Sequence, residues 1–249
     1  MIPKVIHYCW FGRNPLPDSA KKCIASWEKY LPDYEIKEWN EENFDINKIP
    51  YIQEAYNAKK YAFVTDYARF WVLYNYGGLY FDTDVEIIRP IDDIIEKGAF
   101  MGCEGDITTT EFPIAVAPGL GLGCEPFMPF YNEMIDLYST LHFKNTDSSY
   151  NMTTVVSYTT DKLLGKGLKE ISEIQKCSGI TIYPKDYFNP KSQVDGKIRL
   201  TENTRSIHHF AGTWMNRSEK IRIFIRGLLG ERFLKLIRPL YKRNIKKKL

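Results

Sequence analysis

Along the chain, short apolar runs alternate with longer stretches whose apolar positions recur at three and four, the pattern of strands alternating with helices. "KVIHYCWF", residues 4–11, reads as a first strand, and "DSAKKCIASWEKYL" as a helix opened by Asp18 or Ser19, with Ile24, Trp27 and Leu31 at helical spacing. "YEIKEWN" is a second strand. A helical segment near residues 50–58 leads into "YAFVTDYARFWVLYNYGG", where Tyr67, Phe70, Trp71 and Tyr74 share a face and Gly77 supplies the stop. "GLYFDTDVEII" is the next strand. "GAFMGCE" and "PIAVAP" are short strand candidates, "EPFMPFYNEMIDLYSTL" and "MTTVVSYTTDKLL" are helices, and "GITIYP" and "RSIHHFAG" are extended. The glycine-rich "PGLGLGCEP", residues 118–126, has neither G-x-G-x-x-G nor G-K-[ST] spacing and reads as a loop. Together these segments predict an α/β domain with a mainly parallel sheet covered on both faces and no internal repeat.

Composition supports one large domain: 249 residues, 44% of them apolar and 14% aromatic, supply a sizeable core. Charge divides the chain. Residues 217–249 hold 12 Lys and Arg against two Glu, a net of +10, whereas the first 216 residues carry 22 against 29, a net of −7. A body at 1–216 and a basic tail at 217–249 are therefore expected to face different partners. The five cysteines are scattered and never paired as C-x-x-C, which argues against a disulfide framework or zinc ribbon and for a reducing cytoplasm. The N-terminal run is interrupted by His7 and too polar for a signal peptide, and no apolar span is long enough to cross a membrane.

Chemistry concentrates in residues 66–84. Asp82 and Asp84 stand two apart, so on an extended segment they point the same way with their Cα atoms about 7 Å apart. Like charges held that close demand a cation between them, and Mg²⁺ or Mn²⁺ is the economical one, leaving coordination positions for phosphate oxygens. On its own D-x-D reads equally well as a solvated turn after a strand. Asp66 and Arg69 lie three apart on the preceding helix, which runs directly into that strand; Arg69 suits a bidentate phosphate contact and Asp66 a sugar or ribose hydroxyl. The plainer reading of this pair is a surface i,i+3 ion pair. Gly77 and Gly78 need no role beyond the corner. His208 and His209, being consecutive, project to opposite faces of a strand, so only one can reach the site.

The order "TDYARFWVLYNYGGLYFDTDVE" resembles glycosyltransferase family 32, the DXD sugar-binding group of bacterial capsular and surface polysaccharide enzymes and yeast mannosyltransferases. It is also similar to the glucosyltransferase domain of large clostridial toxins. "IPKVIHYCWFG", "YPKDYFNP" and "IHHFAGTW" extend the resemblance over most of residues 1–216. It implies a GT-A fold, a Rossmann-like sheet whose strand ends hold a nucleotide-sugar and a divalent cation. It further implies that Trp10 stacks on the base, that Asp66, Arg69 and Tyr80 contact the donor, that Asp84 binds the metal directly and that Asp82 contacts ribose or sugar beside it. The spacing of His209 to Gly212 and Trp214 resembles a His-x-x-Gly element supplying a metal ligand, so His209 is chosen and His208 is expected to pack behind it. Read without the resemblance, Trp10 is a core tryptophan, and His7 is structural in either case. Lys185 and Asp186 share the family-like context, and the hydroxyls of "YNMTTVVSYTTD" suit an acceptor site.

The expected function is a metal-dependent, retaining hexosyltransferase that moves a sugar from a UDP-linked donor to a glycan or lipid-linked hydroxyl in surface polysaccharide synthesis. Alternatives are a metal phosphohydrolase and a non-catalytic nucleotide- or glycan-binding module. In the tail, Ile221, Phe224, Ile225, Leu228 and Leu229 form an apolar stripe among basic residues. That pattern suits either an anionic membrane at the inner cell face or packing on the body. Nucleic acid is not an expected partner, since the body is acidic and lacks a reader motif.

Overall fold

The computed structural model describes residues 1–105, 114–192 and 196–212. Trp214, the boundary at 216 and the basic tail with its expected membrane contact lie outside the described residues. Seventeen elements follow one another in the order β1 (Val5–Cys9), α1 (Asp18–Tyr30), β2 (Glu35–Trp39), α2 (Pro50–Asn57), α3 (Tyr61–Tyr76), β3 (Gly78–Tyr80), β4 (Val85–Ile87), α4 (Asp92–Ile95) and β5 (Phe100–Gly105), then β6 (Ala115–Val116), β7 (Leu122–Cys124), α5 (Pro129–Ser139), α6 (Val155–Leu164), β8 (Gln175–Cys177), β9 (Ile180–Tyr183), α7 (Lys185–Phe188) and β10 (Ser206–His208).

Eight strands form one sheet in the order β2-β1-β3-β7-β5-β9-β8, with β6 beside β5. Strands β1, β2, β3, β5 and β9 run in one direction, and β6, β7 and β8 run against it. One apolar cluster, built from α2, α3, α5 and α6, covers one face; a second, from α1, α4 and α7, covers the other. The α/β layering expected from the alternation of patterns is thus present, with helices on both faces of the sheet. The five cysteines are free and buried, and among the described residues no helix is long and apolar enough to cross a membrane.

Helix α3 explains why the site is assembled here. It is apolar on nearly every side and is buried accordingly, so Asp66 and Arg69 are carried into the interior by their neighbours Phe63, Val64, Tyr67, Phe70 and Leu73. It stops at Gly77 (φ 63°), and Gly78 (φ 97°) starts β3 so close to β1 that a Cβ there would meet the Val5 carbonyl oxygen at 2.6 Å. Both the left-handed φ and the space require glycine.

Helix α1 begins at Asp18 as expected, with Pro17 at the N-cap and the Asp18 carboxylate paired with Lys21 at 3.3 Å. Two local expectations are corrected. Residues 78–88 are not one strand, because the chain turns between β3 and β4, with the Val85 N–H donating to the Asp82 carbonyl at 3.0 Å. β4 then leaves the main sheet and pairs antiparallel with β10. The turn takes both aspartates off the dry strand. Finally, the glycine-rich segment read as a loop contains β7, a central strand. Its missing side chains are replaced by those of its neighbours: a Cβ on Gly123 would meet Phe100 at 2.6 Å and Leu79 at 2.7 Å.

Candidate active site

In this sheet the strands of common direction end together, at Trp10 after β1, Asp82 after β3, Glu104 on β5 and Lys185 after β9. The carboxyl ends of parallel strands are where open α/β sheets bind ligands. The β1–β3 register, His7 opposite Tyr80, continues in a Phe81 N–H bond to the His7 carbonyl at 3.2 Å, so Trp10 and the acid pair share this rim.

Arg69 is almost wholly buried and shared between two carboxylates: its Nη2 lies 3.0 Å from Asp66 Oδ1 and 3.4 Å from Asp82 Oδ1. Its Nε donates to the Thr65 carbonyl at 3.2 Å, and the guanidinium sits 5.1 Å from the centre of the Tyr80 ring. Burial opposes its charge, but Asp82, Tyr80 and Asp66 outweigh that and hold Arg69 protonated. The i,i+3 pair of the plainer reading exists, then, but in the interior. The fork expected to meet a phosphate is engaged by protein. For Asp66, burial pushes the carboxyl up to about 7 against the pull of Arg69, with Asp82 adding to the rise; the N–H of Val155, first residue of α6, also bonds to it. Asp66 therefore ties α3 to α6 as well as to Arg69.

Asp82 is held on three sides. Tyr80 Oη donates to its Oδ1 at 3.0 Å, Arg69 lies beside it, and its backbone N–H donates to the Gly119 carbonyl at 3.0 Å. Gly119 makes this close approach feasible, since a Cβ there would fall 1.9 Å from Asp82 Oδ2. Sequence reasoning left Gly119 in an inert loop, and nothing local distinguished it.

Asp84 is held by the end of β10. His208 Nε2 lies 3.1 Å from its Oδ1, the Ala211 N–H donates to its Oδ2 at 2.8 Å, and the His209 N–H donates to its carbonyl at 2.9 Å. Burial alone would raise this carboxyl; His208 and the Ala211 N–H overcome it and keep Asp84 below the ordinary carboxylate range. For His208, burial lowers the imidazole, yet Asp84, with help from Asp82 and Glu104, raises it overall.

The choice of His209 as the third ligand is corrected. Among the described residues the group able to hold a metal is Asp82, Asp84 and His208, one donor atom of each lying within 4.8 Å of the others. His209 points away and pairs with Glu86 at 2.8 Å near the surface. Register is the reason: β10 sets His208 opposite Val85, and Phe210, at φ 53°, folds the chain back so that the Ala211 N–H, and not the His209 imidazole, reaches the Asp84 carboxylate.

His7 has the structural place expected of it. His7 Nε2 bonds to the Gly77 carbonyl at 3.0 Å and its Nδ1 accepts from Trp39 Nε1 at 3.1 Å; burial lowers its pKa to about 4. Trp10 is half-buried, with Nε1 donating to the Asn14 carbonyl at 2.6 Å. Asp186 is occupied by Thr201 and Asn203, and among the hydroxyls of residues 150–161 Thr154 caps α6 and Thr160 accepts from the Val116 N–H. Glu104 was missed altogether: it is half-buried, and burial raises its carboxyl against the pull of His208 and Lys185.

A divalent cation fits this cluster. Two carboxylates and an imidazole form a hard donor set suited to Mn²⁺ or Mg²⁺, and His208 Nδ1 is buried without a partner. Charge points the same way. With His208 neutral, as a ligand must be, the carboxylates of Asp82 and Asp84 have Arg69 as their buried cationic neighbour, which leaves negative charge at the cluster.

Residues 17–101 match the family model described as glycosyltransferase sugar-binding region containing DXD motif. The match covers Asp66, Arg69, Tyr80, Asp82 and Asp84, and leaves Trp10, Glu104 and His208 outside. This segment is therefore similar to a glycosyltransferase sugar-binding region. The chain is 32% identical over 104 residues, 40% of its own length and 29% of the relative's, to inositol phosphoceramide mannosyltransferase 3 of Schizosaccharomyces pombe. It is 24% identical over 198 residues, 76% of this chain and 74% of the other, to an uncharacterized glycosyltransferase, L373, of Acanthamoeba polyphaga mimivirus. Among solved structures, a glycosyltransferase involved in the glycosylation of the major capsid of PBCV-1 superposes with a TM-score of 0.49 at 13% identity, covering 88% of this chain and 98% of that one. A likeness of that level carries no argument about site or substrate.

Proposed function

We propose that the chain is a metal-dependent hexosyltransferase of the GT-A kind, moving a sugar from a nucleotide-sugar, UDP-linked in our reading, to a hydroxyl of a glycan or lipid-linked acceptor. One observation carries the reading: Asp82, Asp84 and His208 converge at the strand ends with Arg69 buried beside them. The name of the fission-yeast relative, an inositol phosphoceramide mannosyltransferase, supports a hexose donor and a lipid-linked acceptor. Assembly of a surface polysaccharide remains the proposed setting, and five unbonded thiols accord with a reducing compartment.

When bound, a divalent cation supplies charge neutralisation for the departing diphosphate. Asp84 and His208 hold it directly in this reading, and Asp82 completes the set while meeting the ribose or sugar. Tyr80 and Arg69 fix the Asp82 carboxylate, so that it is presented without reorganisation as charge develops. Asp66 braces Arg69 from behind. Trp10 offers its indole face to the base, a contact worth about 1–3 kcal/mol. Retention of anomeric configuration belongs to the proposal through the family resemblance.

Screening nucleotides and nucleotide-sugars for Mn²⁺-dependent thermal stabilisation tests the reading. A true ligand at 100 times its Kd adds about 2.7 kcal/mol. Absence of stabilisation by every nucleotide tried would reject a nucleotide-sugar site, while binding without donor turnover would convert the enzyme into a binding module.

A further inference from the structure

Glu104 is a half-buried carboxylate that nothing above puts to use. It lies at the carboxyl end of β5, and the β5–β6 pairing slips there: Cys103 faces Val116 but Gly105 faces Ala115, so Glu104 is the extra residue of a β-bulge. Bulges at strand ends commonly re-aim a side chain toward a site. The carboxyl falls within electrostatic reach of Asp82, His208 and Lys185, yet it is not part of the metal-holding group. Among the described residues no hydrogen bond or ion pair engages its carboxylate. Its backbone carbonyl accepts from Asn189 Nδ2 at 3.4 Å, and the Oδ1 of that wholly buried asparagine has no partner either. Among the described residues the Glu104 carboxylate is therefore left without a donor at the rim that carries the acid pair.

A partly desolvated carboxylate without a donor is unfavourable until a ligand supplies one. The donor this site lacks is neutral, because Arg69 and His208 are committed to the aspartates and a further cation would have to compete with the metal for the same charge. Sugar hydroxyls are neutral donors. We propose that Glu104 contacts the donor hexose, accepting a hydrogen bond from one of its hydroxyls and orienting the ring next to Asp82. This inference rests on the proposed nucleotide-sugar site and adds a contact residue to it.

The test uses the full chain with Mn²⁺ and, from the screen, the nucleoside diphosphate and the nucleotide-hexose that stabilise the wild type best. Glu104→Gln, which keeps size and shape, is compared with Glu104→Asp by calorimetry and by donor hydrolysis. The expected result is an unchanged Kd for the nucleoside diphosphate and a Kd for the nucleotide-hexose weakened about 10–100-fold in Glu104→Gln, the range for a hydrogen bond to a charged group. Hydrolysis should slow in parallel, and Glu104→Asp should recover part of both. Wild-type hexose affinity and turnover in Glu104→Gln would overturn the contact. An equal loss of nucleoside diphosphate binding would also overturn it, since Glu104 would then act through the metal group. If the wild type binds no nucleotide, the reading of the site fails first and this one with it.

Discussion

Two histidines in this molecule, one buried and one half-buried, teach how a structural polar group differs from a poised one. His7, in the middle of β1, has both ring nitrogens satisfied by neutral partners, Gly77 and Trp39, and no carboxylate against it; burial leaves it uncharged, with a pKa of about 4. His208, at the end of β10, has one nitrogen on Asp84, the other buried without a partner, and a pKa moved the opposite way by carboxylates. Burial opposes charge in both. What differs is whether the surroundings leave bonding capacity and negative charge unspent, as they do around His208.

The largest test of that contrast removes the negative charge. Asp84→Ala is expected to lower Mn²⁺-dependent donor turnover by on the order of 10³-fold, measured at limiting metal; full activity would take Asp84 out of the site. At His7 the expected effect is on stability alone. Its pKa is 6.5 unfolded and about 4 folded. The unfolded chain therefore takes up the proton first as pH falls, and stability present above pH 6.5 is lost by roughly 3 kcal/mol on the way down to pH 4. Melting curves across that window should be flatter for His7→Gln, and an unaltered profile would show that His7 titrates normally. A smaller loss should separate the adjacent histidines: His208→Ala weakens Mn²⁺ about 10–100-fold, whereas His209→Ala leaves it unchanged, and the reverse ranking would restore His209 as the ligand. The smallest effect is expected of Gly119→Ala. Its Cβ would displace Asp82, which is the movable end of a side chain, so the fold should survive with nucleotide affinity down about tenfold. An unaltered affinity would mean that the position of Asp82 is not critical.

How far the sequence could be read depended on the range of the interactions. Helix α3, its Gly77 stop, the acid pair and the Asp66–Arg69 spacing are local patterns and were legible. The split between β3 and β4 was not, because a period-two pattern says nothing about which sheet a strand joins. β7 was hidden because its packing side chains belong to Phe100 and Leu79. Glu104 looked like any polar strand terminus, since its bulge is defined only by the register against β6.

By itself the sequence determined the alternation of strands and helices, the burial of α3 and the presence of three carboxylates and one guanidinium within 19 residues of chain, counting from Asp66 to Asp84. Periodicity and short spacings encode these directly, through side-chain direction on a helix or strand. Only the tertiary structure decided that Arg69 is shared by two aspartates, that His208 rather than His209 meets Asp84, and that Gly119 and Glu104 border the pair. Each of those depends on pairings between segments 13 to 124 residues apart, where register and the direction of one backbone turn, and no local preference, choose the neighbour.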